Sequence, residues 1–251
     1  MKNSSFLFLL LCQILTAQNP SIEAIGLAEL DARCTILNNP AQEGSQRGEM
    51  SQSLLYNPQL SELYTSSTFG EYSKNGKNYA LLLQHFGPEH YQKTLVQLAF
   101  GLQIYRTFGI GISVSGSREK VVEQNAQRFL AYSLHWDYHP KNSLHWAGSF
   151  QQSGLSEAKY SFKQQLIYNA SKALTLLSGF SLESQRGSYL SLATEYALFD
   201  FLRLRQGIRY AEQLDYRAGM GLSFGDWEFQ VSFQWQLALG QQEGISICYK
   251  W

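Results

Sequence analysis

Residues 227 to 239 alternate strictly between apolar and polar side chains, and no other feature of the 251-residue chain constrains its fold as tightly. The apolar positions are Trp227, Phe229, Val231, Phe233, Trp235, Leu237 and Leu239; those between them are Glu228, Gln230, Ser232, Gln234, Gln236 and Ala238. Successive side chains of a β-strand point to opposite faces, so the pattern predicts a strand with one apolar and one polar face. Strands of soluble proteins usually have about five or six residues, and this run is about twice as long.

The chain then ends on a second strand of the same kind. A turn is predicted over Gly240 to Gly244, after which Ile245, Ile247, Tyr249 and Trp251 alternate with polar or small residues. A final strand that alternates and stops on an aromatic residue is typical of bacterial outer-membrane barrels, whose apolar face meets lipid and whose polar face lines the lumen. The alternative is the last hairpin of a soluble β-sandwich or lipocalin-like barrel, which the length of the alternation disfavours.

The same pattern recurs upstream and predicts about fourteen strands. Their ranges are 50–57, 63–74, 77–87, 94–105, 108–118, 126–138, 143–153, 159–170, 173–183, 188–199, 202–212, 216–224, 227–239 and 244–251. Many approach the ten residues that a tilted transmembrane strand requires. Every second connection is predicted to be tight; these contain Asn75-Gly76, Arg106-Thr107, His139-Pro140-Lys141, Ser171-Lys172, Asp200-Phe201 and Gly225-Asp226. The predicted fold is an all-β, antiparallel transmembrane β-barrel.

Composition agrees with a barrel and argues against a nucleic-acid-binding protein. The 20 Lys and Arg residues balance 20 Asp and Glu residues, so no basic surface is expected. Only 16% of the residues are charged and 14% are aromatic, which suits an outer wall in hydrocarbon with aromatic rims. Past the N-terminus, no apolar run is long enough for a transmembrane helix.

The N-terminal part is predicted to hold two segments that precede the barrel. Residues 1–17 carry Lys2, an apolar stretch and a small residue, Ala17, at the predicted cleavage point, as in a secretory signal peptide. Residues 18–48 are not strand-like and are predicted to form a short plug segment, with the barrel occupying 49–251. Two cysteines would remain after cleavage, Cys34 and Cys248, and two cysteines alone do not establish a disulfide.

Charged residues cluster on the predicted luminal faces of strands eight to twelve. They are Arg203, Arg205, Arg209, Arg217, Glu183, Glu195 and Lys163. Such a cluster is suited to binding an anionic headgroup, for example a fatty-acid carboxylate. The alternative is that these charges pair with one another and with the plug, because lumens are polar in any case.

His135 and His145 fall on the luminal faces of one predicted hairpin, where we expect them to sit opposite each other, and a metal or hydrolase site could start from such a pair. A metal site normally needs three or four ligands, and the sequence offers no evident third. It also shows neither a glycine-rich phosphate loop nor a nucleophile-elbow motif. No catalytic residue, metal or cofactor is therefore predicted.

The segment from Gly26 to Ala41 resembles the start of FadL-like outer-membrane barrels, the group that includes PorV and PorQ of Bacteroidetes. Asn39, Pro40 and Ala41 match that group's motif, while Gln42 and Glu43 replace its usual Gly-Leu. The resemblance implies a fourteen-stranded barrel in a bacterial outer membrane, with the N-terminal segment folded into the lumen. It implies either binding or transport of a hydrophobic or amphipathic small molecule, or an accessory role with components of type IX protein secretion. Outer-membrane lipid is the expected surrounding partner.

Overall fold

The computed structural model describes residues 41, 48–58, 60–88, 90–122, 124–154, 158–184, 187–211, 214–236 and 240–251, without the side chains of 60–63 and 236. Fourteen strands run through these ranges. They are β1 (Gly48–Asn57), β2 (Leu60–Lys74), β3 (Lys77–Phe86), β4 (Tyr91–Tyr105), β5 (Phe108–Val121), β6 (Gln127–Lys141), β7 (Leu144–Ser153), β8 (Lys159–Asn169), β9 (Leu174–Glu183), β10 (Gly187–Phe199), β11 (Leu202–Tyr210), β12 (Leu214–Phe224), β13 (Trp227–Gln236) and β14 (Gly240–Lys250).

Each strand pairs antiparallel with its neighbours in sequence, and β1 pairs with β14 to close the barrel. The prediction of a fourteen-stranded antiparallel barrel is confirmed. Because the strand number is even, Gly48 and Trp251 lie at one end, which we call the terminal end; the opposite end is the loop end. Connections at the terminal end span two residues, except for the four residues 170–173, whereas those at the loop end span two to five residues.

The outer wall is covered by large apolar side chains. Leu98, Leu134 and Leu192 are each more than half exposed near the middle of their strands. Aromatic side chains contact one another near the terminal end, in the series Phe199, Phe201 and Phe224 and in the series Trp227, Tyr249 and Trp251. An apolar belt bordered by aromatic residues is the exterior that a bilayer requires of a barrel. Within the described ranges, no helix is long and apolar enough to cross a membrane.

Closure of the barrel is completed by the last residue of the chain. Gly48 and Trp251 exchange two backbone hydrogen bonds of 3.0 Å. The Trp251 ring covers Gly48 so closely that a Cβ atom added there would lie 2.3 Å from it. The C-terminal aromatic residue therefore extends the seam between the first and last strands, and its packing requires a glycine at position 48.

Two predicted turns are wrong. Gly240 to Gly244 belong to β14, and Gln236 pairs with Gly240. This glycine- and glutamine-rich composition indicates a turn, but the ladder extends through it because the polar side chains find partners: Gln241 donates to Glu243 at 2.7 Å, and Tyr56 also donates to Glu243. The turn predicted at residues 139–141 lies two residues further on, at 142–143.

Candidate functional site

The barrel interior is lined by buried polar side chains. Those that the structure describes include Asn78, Gln84, Ser113, Ser133, Ser181, Ser191, Gln230, Ser232 and Gln234. They alternate with the apolar residues of the outer wall, as Gln230 does with Phe229 and Val231 on β13. Most of the inside of this barrel is therefore polar and its outside is apolar, the reverse of a soluble protein.

A first charge network, which we call the terminal network, lies near the terminal end on β10, β11, β13, β14 and β1. The Arg205 side chain is 1% exposed; its Nε donates to Glu195 at 2.7 Å, and its Nη2 lies 3.8 Å from Glu228. Glu228 is also 2.8 Å from the Lys250 ammonium, which lies 3.9 Å from Glu49. Charges therefore alternate in sign along the network, and each buried carboxylate has a cation near it.

Gly221 makes room for this network. It faces the lumen on β12, between Arg205 on β11 and Glu228 on β13. A Cβ added to Gly221 would lie 3.2 Å from Arg205 Nη1 and 3.5 Å from Glu228 Oε1. The missing side chain lets the guanidinium reach across β12 toward a carboxylate two strands away.

A second network, the loop network, lies nearer the loop end on β11 and β12. Asp215 accepts from Arg209 Nε at 3.0 Å and is 3.8 Å from Arg217 Nη2. Arg209 also lies over the Tyr189 ring, 5.5 Å from its centroid, in a cation–π contact. Arg217 is almost completely buried. The Asp215 carboxylate thus pairs with two guanidinium groups.

The predicted charge cluster is distributed rather than gathered at one point. Arg205 and Glu195 belong to the terminal network, Arg209 and Arg217 to the loop network. Lys163 and Glu183 face each other at 3.9 Å between β8 and β9. Arg203 lies on β11 opposite Gly221.

Three carboxylates that complete these networks, Glu49, Asp215 and Glu228, are not in the predicted cluster. Glu228 lies on the polar face of a predicted strand, so the alternation could have identified it. Glu49 and Asp215 each precede a predicted strand by one residue, whereas the strands of the structure begin earlier and include them. The alternation tells which face of a strand a residue lies on. It does not tell how far along the barrel axis the residue lies, because that depends on the register between strands. The pairing of Arg205 with Glu228 could not be predicted for that reason.

An apolar patch on β2, β3 and β4 faces the lumen on the other side of the barrel. Phe69, Ala80, Leu82 and Ala99 are buried and in contact, and Leu95 packs against them. Phe69 is directly opposite Leu82 in the sheet. Around the ring of fourteen strands, β3 is seven positions from β10 in either direction. The apolar patch therefore lies opposite the Glu195–Arg205 end of the terminal network, whose other end reaches Glu49 on β1, next to β2.

Two histidines and an aspartate meet at the terminal end of β6 and β7. Asp137, His139 and His145 each offer a ligand atom, and these three atoms lie within 4.8 Å of one another. His135 is elsewhere: it is opposite Ser149 and its Nε2 lies 3.2 Å from the Ser113 hydroxyl. The suggestion that His135 and His145 sit opposite each other is wrong, because the hairpin register places His145 at the level of His139.

Ala41 is the one residue of the predicted plug motif within the described part of the chain; Asn39, Pro40 and nearly all of residues 18–48 lie outside it. Ala41 is fully buried, and its carbonyl oxygen lies against Gly109 on the luminal face of β5. A Cβ on Gly109 would come within 1.8 Å of that oxygen. Cys248 has a free, buried thiol, and Cys34 lies outside the described residues.

Solved porin structures share this architecture. Two mutants of the Rhodopseudomonas blastica porin align with a TM-score of 0.52, one at 11% and the other at 10% sequence identity; each alignment covers 82% of this chain and 99% of the porin. At such identity the likeness shows the fold alone. The chain has the fold of porin-type outer-membrane β-barrels. No family model matches the sequence, and no curated protein does.

Proposed function

We propose that the chain is a bacterial outer-membrane barrel that binds or conducts a hydrophobic or amphipathic small molecule. The observation that carries this proposal is the two-sided lumen, with the apolar patch on β2–β4 opposite the Glu195–Arg205 pair on β10 and β11. An amphipathic molecule needs both kinds of surface, because its chain is stabilised by apolar contact and its headgroup by polar groups. The resemblance to FadL-like barrels supports the same class of ligand.

The cation offered to a headgroup would be Arg203. It faces the lumen two residues before Arg205 and opposite Gly221, over which the Arg205 guanidinium lies. Arg205 already holds two carboxylates close by. We therefore expect Arg205 to hold the carboxylates of the lumen wall in place and Arg203 to bind the headgroup of the ligand.

Binding of a fluorescent long-chain fatty-acid analogue to the purified barrel in nanodiscs tests the proposal. Leu82→Asn places an amide in the apolar patch and is expected to weaken binding about tenfold or more, through lost apolar contact. Arg203→Gln should weaken binding of the analogue but not of its alcohol counterpart, which lacks the carboxylate.

Leu177→Asn is the matched control, because Leu177 is equally buried but lies on β9, away from the patch. If Leu82→Asn and Leu177→Asn weaken binding equally, the loss reflects the barrel as a whole and the patch has no special role. Absence of binding by the unaltered barrel would overturn the proposal. Co-purification with type IX secretion components would then support the accessory role that the resemblance also implies.

A further inference from the structure

The cluster of Asp137, His139 and His145 is built by an irregularity in β6. Tyr138 pairs with Trp146 and Lys141 with Leu144, so two residues of β6, His139 and Pro140, stand opposite the single residue His145. This is a β-bulge, and proline favours it because it has no N–H to give to the ladder. The bulge aims His139 at the ring of its neighbour: the His139 and His145 rings stack with centroids 5.4 Å apart.

His139 is oriented from two sides. Its Nδ1 lies 3.1 Å from Asp137 Oδ2, and its Nε2 donates to the Arg106 carbonyl oxygen. Its backbone N–H donates to Thr107 in the same turn at 3.0 Å. A metal-binding histidine almost always gives its second ring N–H to a carbonyl or carboxylate in this way, which fixes the tautomer and aims the other nitrogen at the ion.

An oxygen of Gln103 adds to the polar surroundings. Gln103 and Asp137 flank Gly109 from the two neighbouring strands. Gln103 Nε2 donates to the Tyr105 carbonyl at 2.8 Å, and its Oε1 lies over Gly109, 3.1 Å from where a Cβ would stand. This Oε1 is buried and accepts no hydrogen bond from any described residue. It is available to a metal-bound water.

We propose that Asp137, His139 and His145 bind one divalent transition-metal ion at the terminal end of the lumen, with Zn²⁺ as the ion to test. Two imidazole nitrogens and a carboxylate oxygen are a donor set that zinc accepts, with a fourth position for water. Zinc–ligand bonds of about 2.0–2.2 Å place tetrahedral ligand atoms roughly 3.4 Å apart. The three atoms here lie within 4.8 Å of one another, so small side-chain shifts complete the site. The site does not depend on the small molecule proposed above.

The same contacts describe a second arrangement, in which a protonated His139 donates to Asp137 as an ion pair. In that case His145 only stacks on His139 and has no share in binding. The two arrangements differ in what His145 does, so a change at His145 separates them.

Zinc uptake by the tag-free barrel, stripped with a chelator and measured by mass spectrometry and titration calorimetry, tests the proposal. We expect one Zn²⁺ per chain, and an affinity that falls by about 100-fold or more in His145→Gln and Asp137→Asn. His85→Gln is the control, since His85 lies on β3 and faces outward beside Thr94. It should bind zinc like the unaltered barrel.

A second measurement uses the unaltered barrel and so does not require any variant to fold. Co²⁺ added to the unaltered barrel should give the intense visible absorption of a tetrahedral site, and Zn²⁺ should abolish it. A barrel that takes up neither ion overturns the proposal. So does zinc binding that survives unchanged in folded His145→Gln, because the ion pair would then be the whole function of the cluster.

Discussion

At the scale of single residues, the lumen is organised by where each charge finds its partner. Arg205 is buried because Glu195 and Glu228 both approach its guanidinium, and because Gly221 leaves space for it. Alternation along a strand predicts that these residues face inward. It cannot predict which of them meet, since contacts across two strands depend on the register of each hairpin.

Replacing Arg205 with alanine should be among the costly changes in the lumen. Glu195 and Glu228 would lose a cation while staying largely enclosed; the Glu228 side chain is only 3% exposed. Removing one partner of a buried ion pair typically costs about 3–5 kcal/mol. The free energy of unfolding in urea, measured with the barrel in lipid vesicles, should fall by about that amount.

Arg209→Ala is the matched control for this change. The Arg209 side chain is 19% exposed, so water compensates part of its loss at Asp215, and Arg217 still faces that carboxylate. We expect a smaller fall than at Arg205. An equal or larger fall would mean that burial of Arg205 does not set its contribution.

The contact between Ala41 and Gly109 predicts a site where the N-terminal segment is held. Gly109→Ala brings a methyl group against the Ala41 carbonyl, which has to move. We expect residues 18–48 to become more accessible, so that a protease cuts this segment faster in the folded barrel. Gly116→Ala on the same strand is the control, because a Cβ there meets nothing within 4 Å. Equal cleavage of the two variants would show that Ala41 does not seat the segment.

At the scale of elements, the strands could be predicted and the irregularities could not. Period-two alternation identifies all fourteen strands, since every strand has lipid on one face and the lumen on the other. The bulge at His139 and Pro140 interrupts that alternation, and proline suggests a turn there. The candidate metal-binding cluster is not predicted for the same reason: its member His139 falls in the predicted turn, whereas the structure keeps it within β6.

The seam between β1 and β14 offers a test of closure. Gly48→Ala forces the Trp251 ring away from its place over β1, and overpacking of this kind costs about 1–3 kcal/mol. In a chain that already carries Trp251→Ala, the same change should cost almost nothing, because the ring is gone. Unfolding free energies of the two single variants and the double variant give the coupling.

Gly70→Ala serves as the control for the seam, since its Cβ would come no closer than 3.9 Å to the Glu49 carbonyl oxygen. It should leave stability nearly unchanged. Additive costs at Gly48 and Trp251 would mean that the ring does not pack over the glycine in solution.

At the scale of the whole molecule, polarity is reversed relative to a soluble protein. The outer wall carries Leu98, Leu134 and Leu192, while the inner wall carries ion pairs and hydroxyls. A soluble protein with such an exterior would aggregate, because contiguous apolar patches of this extent associate with other apolar surfaces. The hydrocarbon core of a bilayer covers such a surface around the whole circumference of the barrel.

The membrane position of the barrel can be measured with one side chain. Leu134 is 60% exposed at the centre of β6, so it should lie near the midplane of the bilayer. Arginine on the lipid face at that depth costs about 2–4 kcal/mol, and near the interface only about 0–1 kcal/mol. We expect Leu134→Arg to lower the unfolding free energy in vesicles by the larger amount.

Tyr138→Arg, on the same face and near the terminal end of β6, should lower it by the smaller amount. The comparison separates depth from any general effect of arginine on this strand, because both positions face outward. On a soluble barrel, both changes would place arginine in water and neither would cost much. Equal costs at the two positions would therefore contradict a bilayer centred on β6, whereas a gradient between them would fix the barrel's depth in the membrane.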